Sequence, residues 1–348
     1  GYMSRMAELP AEDYLYRFYT ADPWWASVVW TDRYGGQPHD IYLPLSITRL
    51  DKNGTAKRPE YLSLLSVDTS FGDIPEHIAN ECTPHFLKAY EVFPDQSSPF
   101  LWVYPFREYS DFTCGRLSKP YFEDRFIVNA LNAGFPLNTV VSTDNFIHLF
   151  EETDYSFKGV VIVTPTPDKG SKINQAIIDY AQNGGHVIVY GSLQNADEKL
   201  LDALHIKLDD PITGEAELVS YLPTDSAAFD AVPNKAVFNE YNSDGGVAAV
   251  LANDAAEILC EARQGNDKRV FAVSVKQQSG GDLVWIHGCL KENSSQADTA
   301  EYMRHILKRF DYHFDYTKTE PNICTPLILM SRHENAFWFS CFNKNQTV

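Results

Sequence analysis

The segment 159–190 constrains the fold of this chain more than any other part of the sequence. Two short apolar runs, 159–164 and 186–190, flank the stretch 171–183, whose apolar positions repeat at helical spacing: Ile173, Ala176, Ile177, Tyr180 and Ala181. Ser171 is expected to cap this helix, and a pair of glycines follows its end. Continuously apolar strands are typical of sheets that are covered on both faces. The segment therefore predicts a strand–helix–strand unit with parallel pairing and a right-handed crossover.

The sequence around this unit continues the alternation of helices and strands. Helices are predicted at 122–131 and 299–310, and strands at 138–142 and 282–287. Shorter β-type segments follow residue 213, and the last two of them are expected to pair with each other: 215–221, 236–241, 246–252, 257–263 and 269–276. The middle of the chain therefore predicts an α/β domain with a mainly parallel sheet.

The first 115 residues carry a further set of elements. Strands are predicted at 40–50, 61–67 and 100–104, with an Asn-Gly turn after the first of them. A helix is predicted at 76–92. Pro84 is expected to interrupt this helix, because proline lacks the backbone N–H and clashes with the preceding turn.

The two ends of the sequence indicate a piece of a longer protein. The chain opens with Gly-Tyr-Met-Ser, which is typical of a tag remnant, and it stops shortly after two strand-like runs at 326–331 and 336–342. These runs predict a β-hairpin. We expect the hairpin to begin a further β domain.

The charge of the chain excludes two classes of partner. The 348 residues include 29 Lys and Arg against 47 Asp and Glu, which gives a formal net charge of −18. No cluster of basic residues is present, although nucleic acids and acidic lipids both require one. No apolar run approaches the ~18 residues of a membrane-spanning helix. We therefore expect no nucleic-acid partner and no membrane partner.

The stretch 158–193 resembles the class I glutamine-amidotransferase-like fold through its Gly-Gly-His-Val-Ile-Val-Tyr-Gly run. The resemblance is closer to the non-catalytic version of that fold, the trimerisation-type domain of family-42-like β-galactosidases. There too a Tyr-x-x-x-Gly-Gly helix end, here 180–185, leads into a central strand. Three later runs resemble the closing strands of that domain: 247–252, 272–275 and 281–288.

This resemblance implies a flavodoxin-like, three-layer α/β/α domain at 116–315. It also implies a partial barrel-like α/β segment at 1–115, the start of a truncated β-sandwich at 316–348, a homo-oligomer and a carbohydrate partner. A working amidotransferase presents a Cys at a tight elbow beside a His. Here the matching turn, 190–194, has Ser192 and lacks the flanking glycine pattern. Glutaminase activity is therefore not expected.

Two carboxyl groups are the candidates for glycoside hydrolysis, which uses one to protonate the leaving oxygen and the other to attack or to activate water. Asp68 ends one predicted strand and Glu108 follows another. Catalytic groups collect at such carboxyl ends in barrels. Arg107 and Arg33 are available charge partners. The alternative is that Asp68 caps a turn and Glu108 pairs with Arg107 on the surface.

An aromatic strip near the start of the chain has the composition of a sugar platform. Ring faces stack on the C–H faces of pyranoses, while Asp, Arg and His side chains bind hydroxyl groups. The predicted substrate-binding residues are Trp24, Trp25, Trp30, Asp32, Arg33, Tyr34, His39 and Asp40. The alternative is that these rings fill the joint between two domains.

Metal and cofactor sites have little support in the sequence. His77, Glu81 and His85 are spaced four apart, but a break at Pro84 would put His85 out of line. No nucleotide-binding fingerprint is present. The cysteines form no CxxC pair, which argues against a zinc ribbon or a redox motif: Cys82, Cys114, Cys260, Cys289, Cys324 and Cys341. We expect no metal and no cofactor.

The favoured interpretation is a portion of a carbohydrate-active enzyme, a β-galactosidase-like glycoside hydrolase whose central domain serves assembly. The rival is a non-enzymatic scaffold that binds a glycan or a protein through the aromatic strip. A hydrolase with Ser192 as nucleophile and His205 or His287 as base is a weaker alternative, because the Gly-x-Ser-x-Gly turn is missing.

Overall fold

Alternating strands and helices make up most of the described residues. The computed structural model describes residues 14–21, 41–66, 76–112, 114–222, 233–291, 298–314 and 326–342. The strands are β1 (Leu15–Ala21), β2 (Thr48–Leu50), β3 (Ala56–Lys57), β4 (Tyr61–Ser66), β5 (Phe100–Tyr104), β6 (Thr139–Ser142), β7 (Val161–Pro165), β8 (His186–Tyr190), β9 (Ile206–Ile212), β10 (Gly214–Ser220), β11 (Lys235–Phe238), β12 (Val247–Leu251), β13 (Glu257–Gln264), β14 (Asp267–Lys276), β15 (Asp282–Ile286), β16 (Leu327–His333) and β17 (Ala336–Phe342). The helices are α1 (Tyr42–Leu45), α2 (Glu76–Glu91), α3 (Phe106–Ser110), α4 (Ser118–Asn132), α5 (Thr143–Glu151), α6 (Ile173–Gln182), α7 (Glu198–Ala203), α8 (Glu240–Ser243) and α9 (Glu301–Leu307).

A large mixed sheet organises the described part of the chain. Its 11 strands follow the order β11-β10-β13-β14-β15-β8-β7-β5-β6-β2-β3. The strands from β15 to β2 run parallel to one another, and the strands beyond them pair antiparallel. The other described strands pair as β1-β4, β9-β12 and β16-β17. The predicted strand–helix–strand unit is confirmed, since β7 and β8 are parallel neighbours on either side of α6 in the chain.

Alternate residues of the central strands face two separate hydrophobic cores. In β5, Phe100, Trp102 and Tyr104 belong to one core, whereas Leu101 and Val103 belong to the other. This follows from the two-residue period of a strand. Helices α4 and α9 contribute to the first core, and α5 and α6 to the second. Helices cover both faces of the sheet. The central strands therefore lack the row of polar side chains that faces solvent in a sheet with one open face.

The predicted strand at 40–50 is wrong over its first half. Tyr42–Leu45 is a short helix, and the strand is limited to Thr48–Leu50. Ile41 and Leu45 are buried together in a small core. Their spacing of four residues suits a helical turn, and this contact overrides the strand-like alternation of the sequence.

Two predictions about helices are also wrong, namely the break at Pro84 and the cap at Ser171. Pro84 lies inside α2, which continues through it. Pro84 and Asn80, whose carbonyl loses its helical partner, are both exposed, so water can bind that carbonyl. Ser171 does not cap α6. The helix begins after Lys172 without a side-chain cap, and the Asn174 amide holds the preceding loop by donating to the carbonyl of Ser171.

The sheet takes strands from both sides of residue 115. Strands β2, β3 and β5 precede that position, and β5 lies between β6 and β7. The predicted C-terminal hairpin is confirmed as β16 and β17. It packs against the segment before β5, where the Asp95 backbone N–H donates to the Arg332 carbonyl at 3.2 Å and a ring nitrogen of His333 lies 2.7 Å from the Phe93 carbonyl oxygen. The division at 115 and 315 stays a prediction.

Candidate functional site

The carboxyl ends of β5 and β7 mark the point where the sheet reverses the direction of its connections. The chain runs from β5 through α4 to β6 on one side, whereas β7, on the other side of β5, leads through α6 to β8. Open α/β sheets bind ligands in the crevice at such a point. Here the switch-point crevice is lined in part by Glu108, Tyr109, Lys119, Glu123, Thr166 and Asp168.

Lys119 is the buried cation of this crevice. Its Nζ donates to the Thr166 carbonyl at 2.7 Å and to Asp168 Oδ1 at 2.9 Å, and it lies 3.7 Å from Glu123 Oε1. Arg116 donates to the other Asp168 oxygen at 2.8 Å. Burial lowers the pKa of Lys119, but the Glu123 and Asp168 carboxyl groups outweigh burial and raise this pKa overall. Lys119 therefore stays charged.

Glu123 is enclosed beside this cation. The Tyr109 hydroxyl donates to Glu123 Oε2, whereas Oε1 makes no hydrogen bond within the described structure. Burial raises the pKa of Glu123 to about 8, against the opposing effects of Lys119 and of the Tyr109 hydrogen bond. Burial therefore favours the protonated form of the Glu123 carboxyl, and the closer carboxyl partner of Lys119 is Asp168, at 2.9 Å.

The free space in the crevice suits water and not a larger ligand. About 40 Å³ is open to a water molecule, which is room for about three ordered waters. Thr143 also lines this space, and its Oγ1 is buried without a hydrogen-bond partner in the described structure. The crevice thus combines a buried ion pair with two buried oxygens that have no hydrogen-bond partner in the described structure.

We expect the free energy of unfolding to fall as the pH rises from about 4.5 to about 8. Folded Glu123 keeps its proton up to a pKa of about 8, whereas its ordinary value is 4.5. The unfolded chain binds fewer protons in that window, so stability decreases with pH. Glu123→Gln cannot ionise and should exceed the wild type at pH 8 by about 2 kcal/mol.

Urea unfolding at pH 5, 6.5 and 8 measures this slope. The matched control is Glu240→Gln, since Glu240 is exposed on α8. Parallel pH profiles for the wild type and Glu123→Gln would contradict the raised pKa of Glu123.

The turn after β8 has a glycine at its tightest point. Gly191 has φ +110°, which glycine adopts far more readily than other residues. A Cβ at this position would lie 2.9 Å from Glu123 Oε1. The Gly191 carbonyl accepts from the Trp285 indole N–H at 2.8 Å and from the Thr166 hydroxyl at 3.1 Å. The turn therefore carries no side chain at position 191, and two hydrogen bonds hold its backbone.

Ser192 follows this turn but lacks the surroundings of a hydrolase nucleophile. Its Oγ accepts from the Gln194 backbone N–H at 3.3 Å. Ser192 and His287 line one small cavity that is too tight to admit water. Burial lowers the pKa of His287 to about 3, which makes it a poor general base at neutral pH. His205 lies instead beside Asn253, at 3.2 Å. The structure does not support a serine hydrolase.

The described thiols next to the sheet are also unsuited to catalysis. Cys289 comes soon after β15, but its Sγ donates to the Val237 carbonyl at 3.2 Å. Burial raises the pKa of the Cys260 thiol to about 12, so it is not a thiolate at physiological pH. Within the described ranges, no three His, Cys, Asp or Glu residues cluster to hold a metal. No helix in those ranges is long and apolar enough to cross a membrane.

Most residues predicted to bind or cleave sugar lie outside the described residues: Trp24, Trp25, Trp30, Asp32, Arg33, Tyr34, His39, Asp40 and Asp68. Glu108 is described. It lies on α3, is half-buried and lines the switch-point crevice. Arg107 forms an ion pair with Asp144 at 2.8 Å. Glu81 and His85 lie on the unbroken α2, whereas the His77 side chain is outside the described part of that helix.

Apart from Glu108, the sequence interpretation missed the charged residues of the crevice, although α4 contains a signal. Lys119 and Glu123 fall at the spacing of the apolar stripe formed by Phe122, Phe126 and Ala130, all of which are buried. Charged side chains are seldom fully buried unless they are paired. Charges at stripe positions therefore indicate a buried polar site.

Comparisons with known proteins show that the fold of this chain is similar to that of solved structures. No protein-family model matches the sequence, and no curated protein matches it. Among solved structures, the cold-adapted β-galactosidase from Rahnella sp. R3 matches 77% of this chain and 39% of its own at 11% identity, with a TM-score of 0.50. The β-galactosidase from Bacillus circulans sp. alkalophilus matches 83% of this chain and 44% of its own at 9% identity, with a TM-score of 0.53.

A GH42 β-galactosidase from G. stearothermophilus matches 94% of this chain and 53% of its own at 8% identity, with a TM-score of 0.52. The chain thus spans about half or less of the length of these three enzymes. At such low identity the likeness concerns the fold alone. This chain has an α/β fold that it shares with a part of these β-galactosidases.

Proposed function

We propose that this chain is a portion of a carbohydrate-active protein of the β-galactosidase type, in which the sheet domain has a non-catalytic role in assembly. The support is the fold likeness to three β-galactosidases, which extends over 77%, 83% and 94% of this chain. The strand order β6-β5-β7-β8-β15 also matches the 2-1-3-4-5 order of flavodoxin-like sheets. That order supports an amidotransferase-like domain whose sheet also includes β5, which precedes residue 116.

The turn at Gly191 is the observation that carries the non-catalytic part of the proposal. Amidotransferase chemistry requires an activated thiol on such an elbow. In this chain position 191 is a glycine that Glu123 approaches closely, and the next side chain, Ser192, lies in a cavity that admits no water. The domain would therefore keep the shape of the enzyme without its nucleophile.

The flanking segments would supply the carbohydrate chemistry. In this proposal, 1–115 contributes the barrel-type part with the aromatic strip and the carboxyl pair Asp68 and Glu108, and 316–348 begins the β domain. Hydrolysis would depend on loops of the remaining barrel, because barrel active sites are assembled from many loops. The assembly would be a homo-oligomer.

A non-enzymatic binding scaffold is the second candidate, and one observation favours it. Phe337, Trp338 and Phe339 on β17 are 53%, 40% and 57% exposed. Consecutive exposed rings of this kind are typical of surfaces that bind another molecule.

Lactose binding through the aromatic strip tests the proposed function. We expect the full chain to bind lactose in saturation-transfer NMR, and Trp24→Ala/Trp25→Ala to weaken the affinity about thirtyfold, since each ring contributes about 1 kcal/mol of stacking. Trp338→Ala, which removes an exposed ring from the hairpin, is the matched control and should bind as the wild type does.

A glutaminase assay completes this test. The chain is expected to release no ammonia from glutamine. Ammonia release would contradict the non-catalytic role of the sheet domain. Lactose affinity that does not change in Trp24→Ala/Trp25→Ala, or an absence of lactose binding, would contradict the carbohydrate role.

A further inference from the structure

An open groove lies where α4, α8 and the segment after β15 meet. It is lined by Tyr121, Asn239, Tyr241, Asn242, Leu290 and Lys291 and encloses about 480 Å³. This volume falls within the ~300–1,000 Å³ that is usual for small-molecule sites. The groove shares no lining residue with the switch-point crevice. It is therefore a separate site, and it is large enough for a ligand that the crevice cannot admit.

Two tyrosine rings dominate the groove. Tyr121 is 49% exposed and Tyr241 is 65% exposed. The Arg125 guanidinium lies 5.4 Å from the centroid of the Tyr121 ring. Large exposed rings that border a groove supply flat surfaces on which the C–H faces of a ring-shaped ligand can stack.

The polar wall of the groove is held in place by the backbone. Asn239 Oδ1 accepts from the N–H groups of Tyr241 at 2.9 Å and Asn242 at 2.8 Å. Because these two bonds use the side-chain oxygen, the Asn239 amide nitrogen is the atom that can donate to a ligand. The Leu290 N–H donates to the Asn242 carbonyl at 2.7 Å and joins the two walls. A groove held in this way loses little conformational entropy when a ligand binds.

The charge of the groove selects the class of ligand. Among the described residues, Lys291 is the one charged residue in its lining and no carboxylate lines it, although the whole chain carries a net charge of −18. Lys291 and the nearby Arg125 are too few for a nucleic acid, which requires several phosphate contacts. Leu290 is the one aliphatic residue among the described lining residues, so this part of the groove lacks the apolar pocket of a protein interface. A neutral ligand rich in hydroxyl groups fits best.

We propose that this groove binds a neutral oligosaccharide, with Tyr121 and Tyr241 as stacking surfaces and Asn239 as a hydrogen-bond donor to sugar hydroxyl groups. The choice of a saccharide rests on the carbohydrate role proposed above. The described residues that line the groove are not those of the aromatic strip, and they belong to the sheet domain and its loops.

Calorimetric titration of the full chain with cellotetraose, β-1,4-galactotetraose and maltotetraose tests this site. At least one tetraose is expected to bind. Tyr121→Ala and Tyr241→Ala should each weaken binding about fivefold, as expected for the loss of about 1 kcal/mol of ring stacking. Tyr121→Phe and Tyr241→Phe keep the rings and should bind nearly as the wild type does. Thermal unfolding should be unchanged in all four variants, because both rings are largely exposed.

Tyr61→Ala is the matched control, since Tyr61 is 61% exposed on β4 and does not line the groove. Loss of tetraose affinity in the tyrosine variants, with Tyr61→Ala unchanged, supports the groove. Tetraose binding that is insensitive to Tyr121→Ala and Tyr241→Ala, or no tetraose binding, overturns it. Sensitivity to Trp24→Ala/Trp25→Ala alone would overturn the groove and leave the proposed function standing. Sensitivity to the tyrosine variants alone would support the groove and exclude the aromatic strip as the tetraose site, and the lactose experiment would still test the proposed function separately.

Discussion

Replacing Lys119 with methionine is expected to lower the free energy of unfolding by about 3 kcal/mol, because removing one partner of a buried ion pair leaves the other charge uncompensated. Lys119 is 7% exposed and neutralises Asp168 at 2.9 Å. Arg116 also contacts Asp168, so a part of that compensation remains in the variant. Urea unfolding at pH 7 measures the loss.

The matched control is Lys169→Met. Lys169 pairs with Glu198 at 2.9 Å, but both side chains are largely exposed, and pairs of this kind contribute little. This variant should unfold as the wild type does. The double variant Lys119→Met/Glu123→Gln should lose less stability than Lys119→Met alone, since Glu123 then cannot ionise. Equal losses in Lys119→Met and Lys169→Met would show that the buried network contributes nothing.

Gly281→Ala is expected to lower the free energy of unfolding by about 3 kcal/mol or more, because overpacking against backbone cannot be relieved by a side-chain rotation. A Cβ at Gly281 would lie 2.0 Å from the Ala181 carbonyl oxygen and 2.6 Å from that of Gly185. The Gly185 carbonyl also accepts from the Asp282 N–H at 3.1 Å, where β15 meets the end of α6. Added volume would separate these two elements.

The neighbouring glycine separates this steric effect from backbone strain. Gly280 has φ +92° but open space around its Cβ position, so Gly280→Ala should cost about 1–2 kcal/mol through its left-handed conformation alone. Thermal unfolding of both variants gives the order. A loss in Gly280→Ala as large as that in Gly281→Ala would mean that the contact with Ala181 is not what requires glycine at position 281.

The spacing of apolar residues correctly predicted the helices and strands whose burial follows that spacing along their whole length. Helix α6 and strands β7 and β8 are buried on the faces that the sequence pattern indicates, so the pattern and the packing agree. Strand β9 shows the opposite case. Ile206 and Ile212 are buried at its ends, but the five residues between them are exposed, and the strand forms by pairing with β12. Such a polar strand forms because another strand pairs with it. Its own sequence contains almost no pattern that predicts a strand.

The candidate site depends on contacts between distant parts of the chain. Lys119 on α4 meets Asp168 after β7, and Gly191 after β8 meets Glu123 on α4. The spacing of Lys119 and Glu123 on the apolar stripe of α4 is visible in the sequence, but the partners of these two charges are not. They become neighbours because β5 inserts between β6 and β7 in the sheet.

The sequence by itself determined the class of fold, the strand–helix–strand unit around α6, and the lack of a cysteine at the turn after β8. These properties depend on side-chain spacing over a few residues, which sets which face of an element is apolar. The tertiary structure alone decided the order of the strands, the raised pKa of Glu123 and the close approach of Glu123 to Gly191. The physical reason is that strand order and burial result from packing between remote segments, and burial in turn sets the energy of each charge.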